Sequence, residues 1–374
     1  MKWRGLSQRA EHLSQRAEQW SEELREEARE HVGDTRHWRI ALAAAGAFAI
    51  TLMGLGIYWS REPAQFDVSN SVNNALHETA PATVEGALTT ATLQQVVVTL
   101  LDKPGGFINN DIFPPGLWLD NMPHWERGAL QQARDMARSL RDDFGRASAQ
   151  AELNDDLARA EPRLNFSESS WMLPASESQY RDAAGYLRDY LKSLEKRDDH
   201  AVFVTTAEVL DRYLARVTQR LDIDVQRLSA CIEPRENPLR QRENSLSQRN
   251  LPTSSTSLTP SSQLDDVFYE ARGSAWALSH LLRAIELDFS HTLREKNALL
   301  PMQEAIRALD AAQGPIYSPM ILNGSGFGFV ANHSLVMASY MARAEAAVAN
   351  VRRLLSESIP AQNTSVDNTQ EINP

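Results

Sequence analysis

Cysteine is almost missing from this chain: Cys231 is the only one in 374 residues. No internal disulfide can form, so packing alone must hold the fold. A lone cysteine in an oxidising compartment is either buried and inert or paired between chains, and burial is the simpler reading. A fold without disulfides suits a bacterial envelope better than a secreted animal protein. Positive charge is also short. Lys and Arg number 38 against 49 Asp and Glu, for a net charge of −11. The first 39 residues hold 8 basic and 8 acidic side chains, so the excess acid lies beyond them. An acidic domain is a poor nucleic-acid binder, because neutralising phosphates takes basic patches. Catalytic signatures are absent as well: there is no HExxH, GxSxG, CxxC or Walker sequence. No cofactor is expected and enzymatic activity has no motif behind it. Carboxylates brought together only in space would leave no such trace.

Charge is missing altogether from Ile40 to Trp59, IALAAAGAFAITLMGLGIYW. A run of about 20 apolar residues matches a bilayer core of roughly 30 Å at 1.5 Å per residue. Trp38, Tyr58 and Trp59 stand near its ends, where aromatic rings favour the headgroup level. The stretch predicts one transmembrane helix and makes the lipid bilayer the first partner. Arg25, Arg29, Arg36 and Arg39 precede it closely, whereas only Arg61 follows before Lys103. The positive-inside rule then places the N-terminus in the cytoplasm and the remainder outside. A cleaved signal peptide is the competing reading. The arm before the span is too long for an n-region, and no small-x-small site follows Trp59.

The expected organisation follows from this span. Residues 1–39 form a cytoplasmic arm, with Leu6, Ala10, Leu13, Ala17, Trp20 and Leu24 at heptad spacing. That stripe suits a homodimer contact, a helix on the inner membrane surface, or a solvated helix continuing the span. Residues 60–82 read as a polar stalk. Residues 83–232 hold the first helical part of an outer domain. There, stripes at Leu130–Ala147, Tyr180–Leu194 and Phe203–Leu221 step by three and four. Thr83–Leu101 reads as helix, although VVVTLL suits a strand. Ser176 is the expected N-cap of the second stripe. Residues 233–263 are polar and rich in Ser and Pro, the composition of a disordered loop. Residues 264–357 hold the second helical part, and 358–374 a polar tail. The fold class is all-α: one transmembrane helix plus a periplasmic multi-helix bundle with long ordered loops.

Two irregular segments interrupt the helices. Asp102 to Trp125 carries four prolines, adjacent glycines and several aromatics, too apolar for a disordered loop. AEPRLNFSESSWMLPASES is the second, with Phe166 and Trp171 as expected anchors. A third unusual stretch, NGSGFGFVANH from Asn323, sets glycines just before a helix, where backbone N–H groups favour anions. The plainer reading is a tight turn between packed helices with Asn332 as N-cap. Loops on a helical scaffold commonly carry function. The candidate contacts are therefore Trp118, Asp120, Trp125, Asn323, Gly324, Ser325, Gly326, Phe327, Gly328 and His333.

Weaker signals favour plain explanations. Asp288, His291 and Glu295 share a helical face, but charged neighbours mark it as solvated, and no metal site is expected. Ser193-Leu-Glu-Lys196 has the spacing of penicillin-recognising enzymes without their partner motifs. Asp222-Ile-Asp224 and Asp198-Asp199-His200 are short clusters of the kind that arise by chance.

The segments LLDKPGGFINNDIFPPGLWLDNMPHWE, SWMLPASESQYR and NGSGFGFVANHSLVMASY together resemble the Gram-negative bacterial family catalogued as domain of unknown function 2333. The resemblance runs from roughly Ile40 to Leu355; the arm repeat and residues 233–263 fall outside what carries it. It implies an inner-membrane protein with a periplasmic helical domain and no assigned activity. It supplies no catalytic residues. The expected function is a non-enzymatic envelope scaffold or binding protein, its partner an envelope protein or ligand. The alternative is an envelope hydrolase acting on peptidoglycan or lipid, which would need acidic residues or His124 and His333 to converge in one cleft.

Overall fold

The computed structural model describes residues 35–76, 84–148, 151–230, 264–315 and 333–357. The heptad arm, Cys231, residues 233–263, the stretch from Asn323 to Asn332 and the tail lie outside the described residues. The described residues hold eleven α-helices and no strand. The chain divides into two units, Met1–Ile57 and Tyr58–Pro374.

The first unit is described by α1, Thr35–Trp59, whose last two residues belong to the second. Residues 38–59 are long and apolar enough to cross a membrane, and none of that face is buried by protein.

The second unit is built around α8, Leu264–Asp288. From Ala271 to Leu282 every residue is buried, so α8 is enclosed on all sides. It packs most extensively on α4, Asn121–Ser139. Two glycines make this crossing possible. A Cβ on Gly128 would collide with the Glu270 carbonyl, and one on Gly273 with the Trp125 carbonyl. The backbones therefore touch, with Ala129, Ala133 and Ala275 around the crossing. After α4, the largest contacts of α8 are with α3, Ala87–Asp102, and α10, Leu299–Ala311. α5, Asp155–Leu164, lies on α6, Ser176–Glu195, which lies on α3. α7, Ala207–Ala230, pairs with α11, His333–Ser356, which also covers α10. The two helical parts expected from sequence are thus one unit.

VVVTLL is helical. Val96, Val97, Leu100 and Leu101 are all buried on α3 between α4, α6 and α8, and burial overrides the β-branched preference. The N-terminus of α3 is capped from afar: Asp288 accepts from the Thr89 amide at 2.8 Å and its hydroxyl at 2.6 Å. Burial raises the Asp288 pKa to about 6, against the pull of those donors. Asp288 is therefore a capping group, not part of a solvated triad. His291 and Glu295 remain exposed on the short helix α9, Ser290–Glu295.

Residues 60–76, read as a stalk, lie against the bundle. Glu62 pairs with the buried Arg272 at 2.7 Å, and Arg272 also holds the Ala312 and Gly314 carbonyls. The Phe66 amide donates to His280 Nε2 at 3.1 Å, and the two rings stack at 4.0 Å. Burial lowers the His280 pKa to about 4, which keeps Nε2 free as an acceptor. Val68 and Val72 are buried, the latter on the short helix α2, Ser71–Leu76.

Three local readings change. Ser176 is the first residue of α6 rather than its N-cap; its hydroxyl donates to the Ser167 and Ser170 carbonyls. Phe203 precedes α7 and stacks on Phe144 at 5.2 Å. The segment expected as the second loop begins inside α5, whose N-cap Asn154 accepts from the Asp156 and Leu157 amides.

Candidate functional site

α4 begins at Asn121, inside the expected loop, with Pro123 in its first turn, where proline's missing N–H costs little. Trp125 is consequently a helical residue facing α8. It is 0 % exposed and its ring lies 5.1 Å from that of Trp276. It is core, not a contact. The next residue, Glu126, is fully buried too and organises the loop before the helix. Its carboxylate accepts from the Ile108 amide at 2.8 Å and the Asn109 amide at 2.8 Å. Lys103 pairs with it at 2.6 Å and also donates to the Gly106 carbonyl. Burial pushes the Glu126 carboxyl up, while Lys103 and the two amides oppose that shift.

The second loop is held in the same manner. Arg134 donates to the Leu164 and Phe166 carbonyls, and Tyr180 to the latter. Asn110 joins the loops by donating to the Ser170 carbonyl at 2.8 Å and to Glu177 at 2.7 Å. Phe166 packs against the core as expected of an anchor. Trp171 does not; its ring stands in solvent.

Between these fixed points the loops expose large apolar side chains. Phe113 is 73 % exposed, Trp118 65 % and Leu173 89 %, with Leu117, Trp171 and Met172 also exposed. Leu173 has a φ of +51°, a left-handed conformation that leucine seldom adopts. A Cβ on Gly116 would strike the Asp111 side chain, which lies under the turn. Burial, then the charge of Glu177, raises the Asp111 carboxyl. The same region carries three acids, the half-buried Asp111 and Glu177 and the exposed Asp120. Isolated exposed apolar residues are ordinary, but clusters on a fixed backbone mark interaction surfaces.

Asp120 is exposed at the start of α4, 3.9 Å from His124 Nε2, which lies 3.2 Å from Asp266 on α8. Potential ligand atoms of these three residues lie within 4.8 Å of one another. The Arg127 guanidinium lies 3.4 Å from His124 Nδ1. That cation competes with a metal for the set. Burial, then Asp120 and Asp265, raises Asp266 against the lowering effect of His124. His333 opens α11, its ring 6.3 Å from Phe268 on α8. His124 and His333 thus both reach the first two turns of α8. Asn323 to Gly328 lie outside the described residues.

Sequence reasoning missed the buried polar groups. Asp224 accepts from Ser274 at 3.1 Å, and burial raises its pKa to about 7. Its neighbour Asp222 accepts from Gln226 on its own helix. Only the odd polar residue in an apolar stripe hinted at Asp224, Glu126 or His280.

Searches of curated proteins and of solved structures give no match. A family model does match, over residues 33–358, which covers both irregular loops, α1 and the bundle. The chain belongs to the bacterial family described as an uncharacterized protein conserved in bacteria, DUF2333.

Proposed function

We propose that this chain is a single-pass inner-membrane protein whose helical unit stands in the periplasm as a non-enzymatic scaffold or binding protein. The Arg asymmetry around α1 supports that orientation. The observation that carries the binding role is the pair of joined loops, fixed from below by Glu126 and Arg134 and apolar above. A pre-ordered apolar surface loses little conformational entropy on association. The exposed Asp120 and the half-buried Asp111 and Glu177 in the same region suit a protein partner with an apolar anchor and a basic border. Homodimerisation through the heptad arm belongs to the same proposal, as a way to present two such surfaces.

A photoreactive residue at Trp118, and separately at Trp171, tests this in living cells. One envelope protein captured from both positions, and not from the exposed Leu300 on α10, is the expected result. Glycan capture would transfer the reading to the envelope hydrolase. Equal capture from Leu300, or none from either loop, would sink it.

A further inference from the structure

A cleft of about 700 Å³ lies between α3, α6 and the segment after α1. That volume is in the range of small-ligand sites, roughly 300–1,000 Å³. Two of its polar groups have no protein partner among the described residues. Gln94 is only 9 % exposed, and its carboxamide has no hydrogen bond to another described residue but stays open to the cleft. Arg188 forms no ion pair, and its Nε is buried without an acceptor. The Nε is sealed from the cleft, but the terminal nitrogens of Arg188 and the Gln94 amide are not, and these are the donors left for an acceptor from outside.

Charge narrows the choice. Arg181 on the same wall is bound to Asp102 at 3.1 Å, and Lys103 to Glu126 and the Gly106 carbonyl. Arg188 is left as the uncompensated cation. A guanidinium beside a carboxamide matches an oxyanion with several acceptor oxygens. The other walls include Pro63, Val98, Pro104 and Ala184, which suit an apolar attachment. Gly185 forms part of the surface, and a Cβ there would meet nothing within 4 Å.

Position supplies the source. Trp59, the last residue of α1, packs over Gly105, next to the lining residue Pro104. Pro63 follows Trp59 by four residues and lines the same cleft. We propose that this cleft binds a phosphate-bearing amphiphile, its phosphate on Arg188 and Gln94, and that the source is a membrane phospholipid. The lipid source, though not the anion site, rests on α1 crossing the bilayer; nothing in it depends on the two-loop surface.

The test uses the full chain in an uncharged maltoside detergent, titrated with dihexanoyl phosphatidylglycerol and, separately, with inorganic phosphate. Saturable binding of the lipid is expected, weakened at least tenfold by Arg188→Gln and partly restored by Arg188→Lys. Gly185→Leu, which fills the cleft without touching its charge, should weaken lipid binding to a similar degree. Unchanged melting of each ligand-free variant keeps misfolding apart from lost binding. Inorganic phosphate binding as tightly as the lipid would overturn the lipid source and leave a free-phosphate site. No saturable binding of either, or wild-type affinity in both Arg188→Gln and Gly185→Leu, would overturn the site itself.

Discussion

Trp118 and Trp125 are seven residues apart in one Pro-rich stretch, and they have opposite fates. Trp125 is sealed in the seam between α4 and α8; Trp118 stands in solvent on a loop. Nothing in the local composition separates them. The difference is the helix start at Asn121, which turns Trp125 inward and leaves Trp118 on the segment that Glu126 holds by its backbone. The seam is a region where side chains are small so that backbones can meet. The loop surface is one where the backbone is held so that large side chains can stand free.

Substitutions should separate the two regions by an order of magnitude in free energy. Gly273→Leu places a branched side chain on the Trp125 carbonyl, where no rotamer can relieve the clash. It should exceed about 5 kcal/mol, beyond the usual range for single changes, and yield no cooperative unfolding transition. Glu126→Ala leaves Lys103 buried without its partner and two loop amides without an acceptor. Loss of about 3–5 kcal/mol is expected, with protease cleavage appearing first between residues 103 and 111. A variant as stable and as resistant as the wild type would remove Glu126 as the support of the loop.

Asp224 tests the polar side of the seam. Its pKa is raised from 3.8 unfolded to about 7 folded, so the folded state keeps a proton that the unfolded state gives up. The stability it contributes is complete below about pH 4 and is lost as pH rises to 7. Asp224→Asn should flatten that slope and be more stable than wild type at pH 8, by on the order of 2 kcal/mol. Denaturant midpoints at pH 5 and 8 measure both. The smallest effect belongs to the loop surface: Trp118→Ser should change stability by less than about 0.5 kcal/mol. The same substitution should abolish capture of a partner from position 171. Large destabilisation instead would make Trp118 a packing residue.

The helices were legible because their stripes repeat at a period that only a half-buried helix explains; Tyr180, Leu187 and Leu194 all face the core. The apolar span was legible from the absence of charge alone. Asp120 and Trp118 are exposed, as suits a loop rich in proline that cannot hide its backbone. Trp171 was misjudged as an anchor because an aromatic ring weighs the same in composition whether it enters the core or leaves it. Arg188 and Gln94 gave no signal, because a missing partner is a fact about space.

The sequence by itself therefore determined the long helices and the one segment apolar enough for a membrane, because period and charge are properties of neighbours along the chain. Only the tertiary structure decided which tryptophan is core, which carboxylate caps α3 and which arginine lines the cleft between α3 and α6. Those outcomes depend on pairs such as Thr89 with Asp288, some 200 residues apart, and no local pattern encodes them.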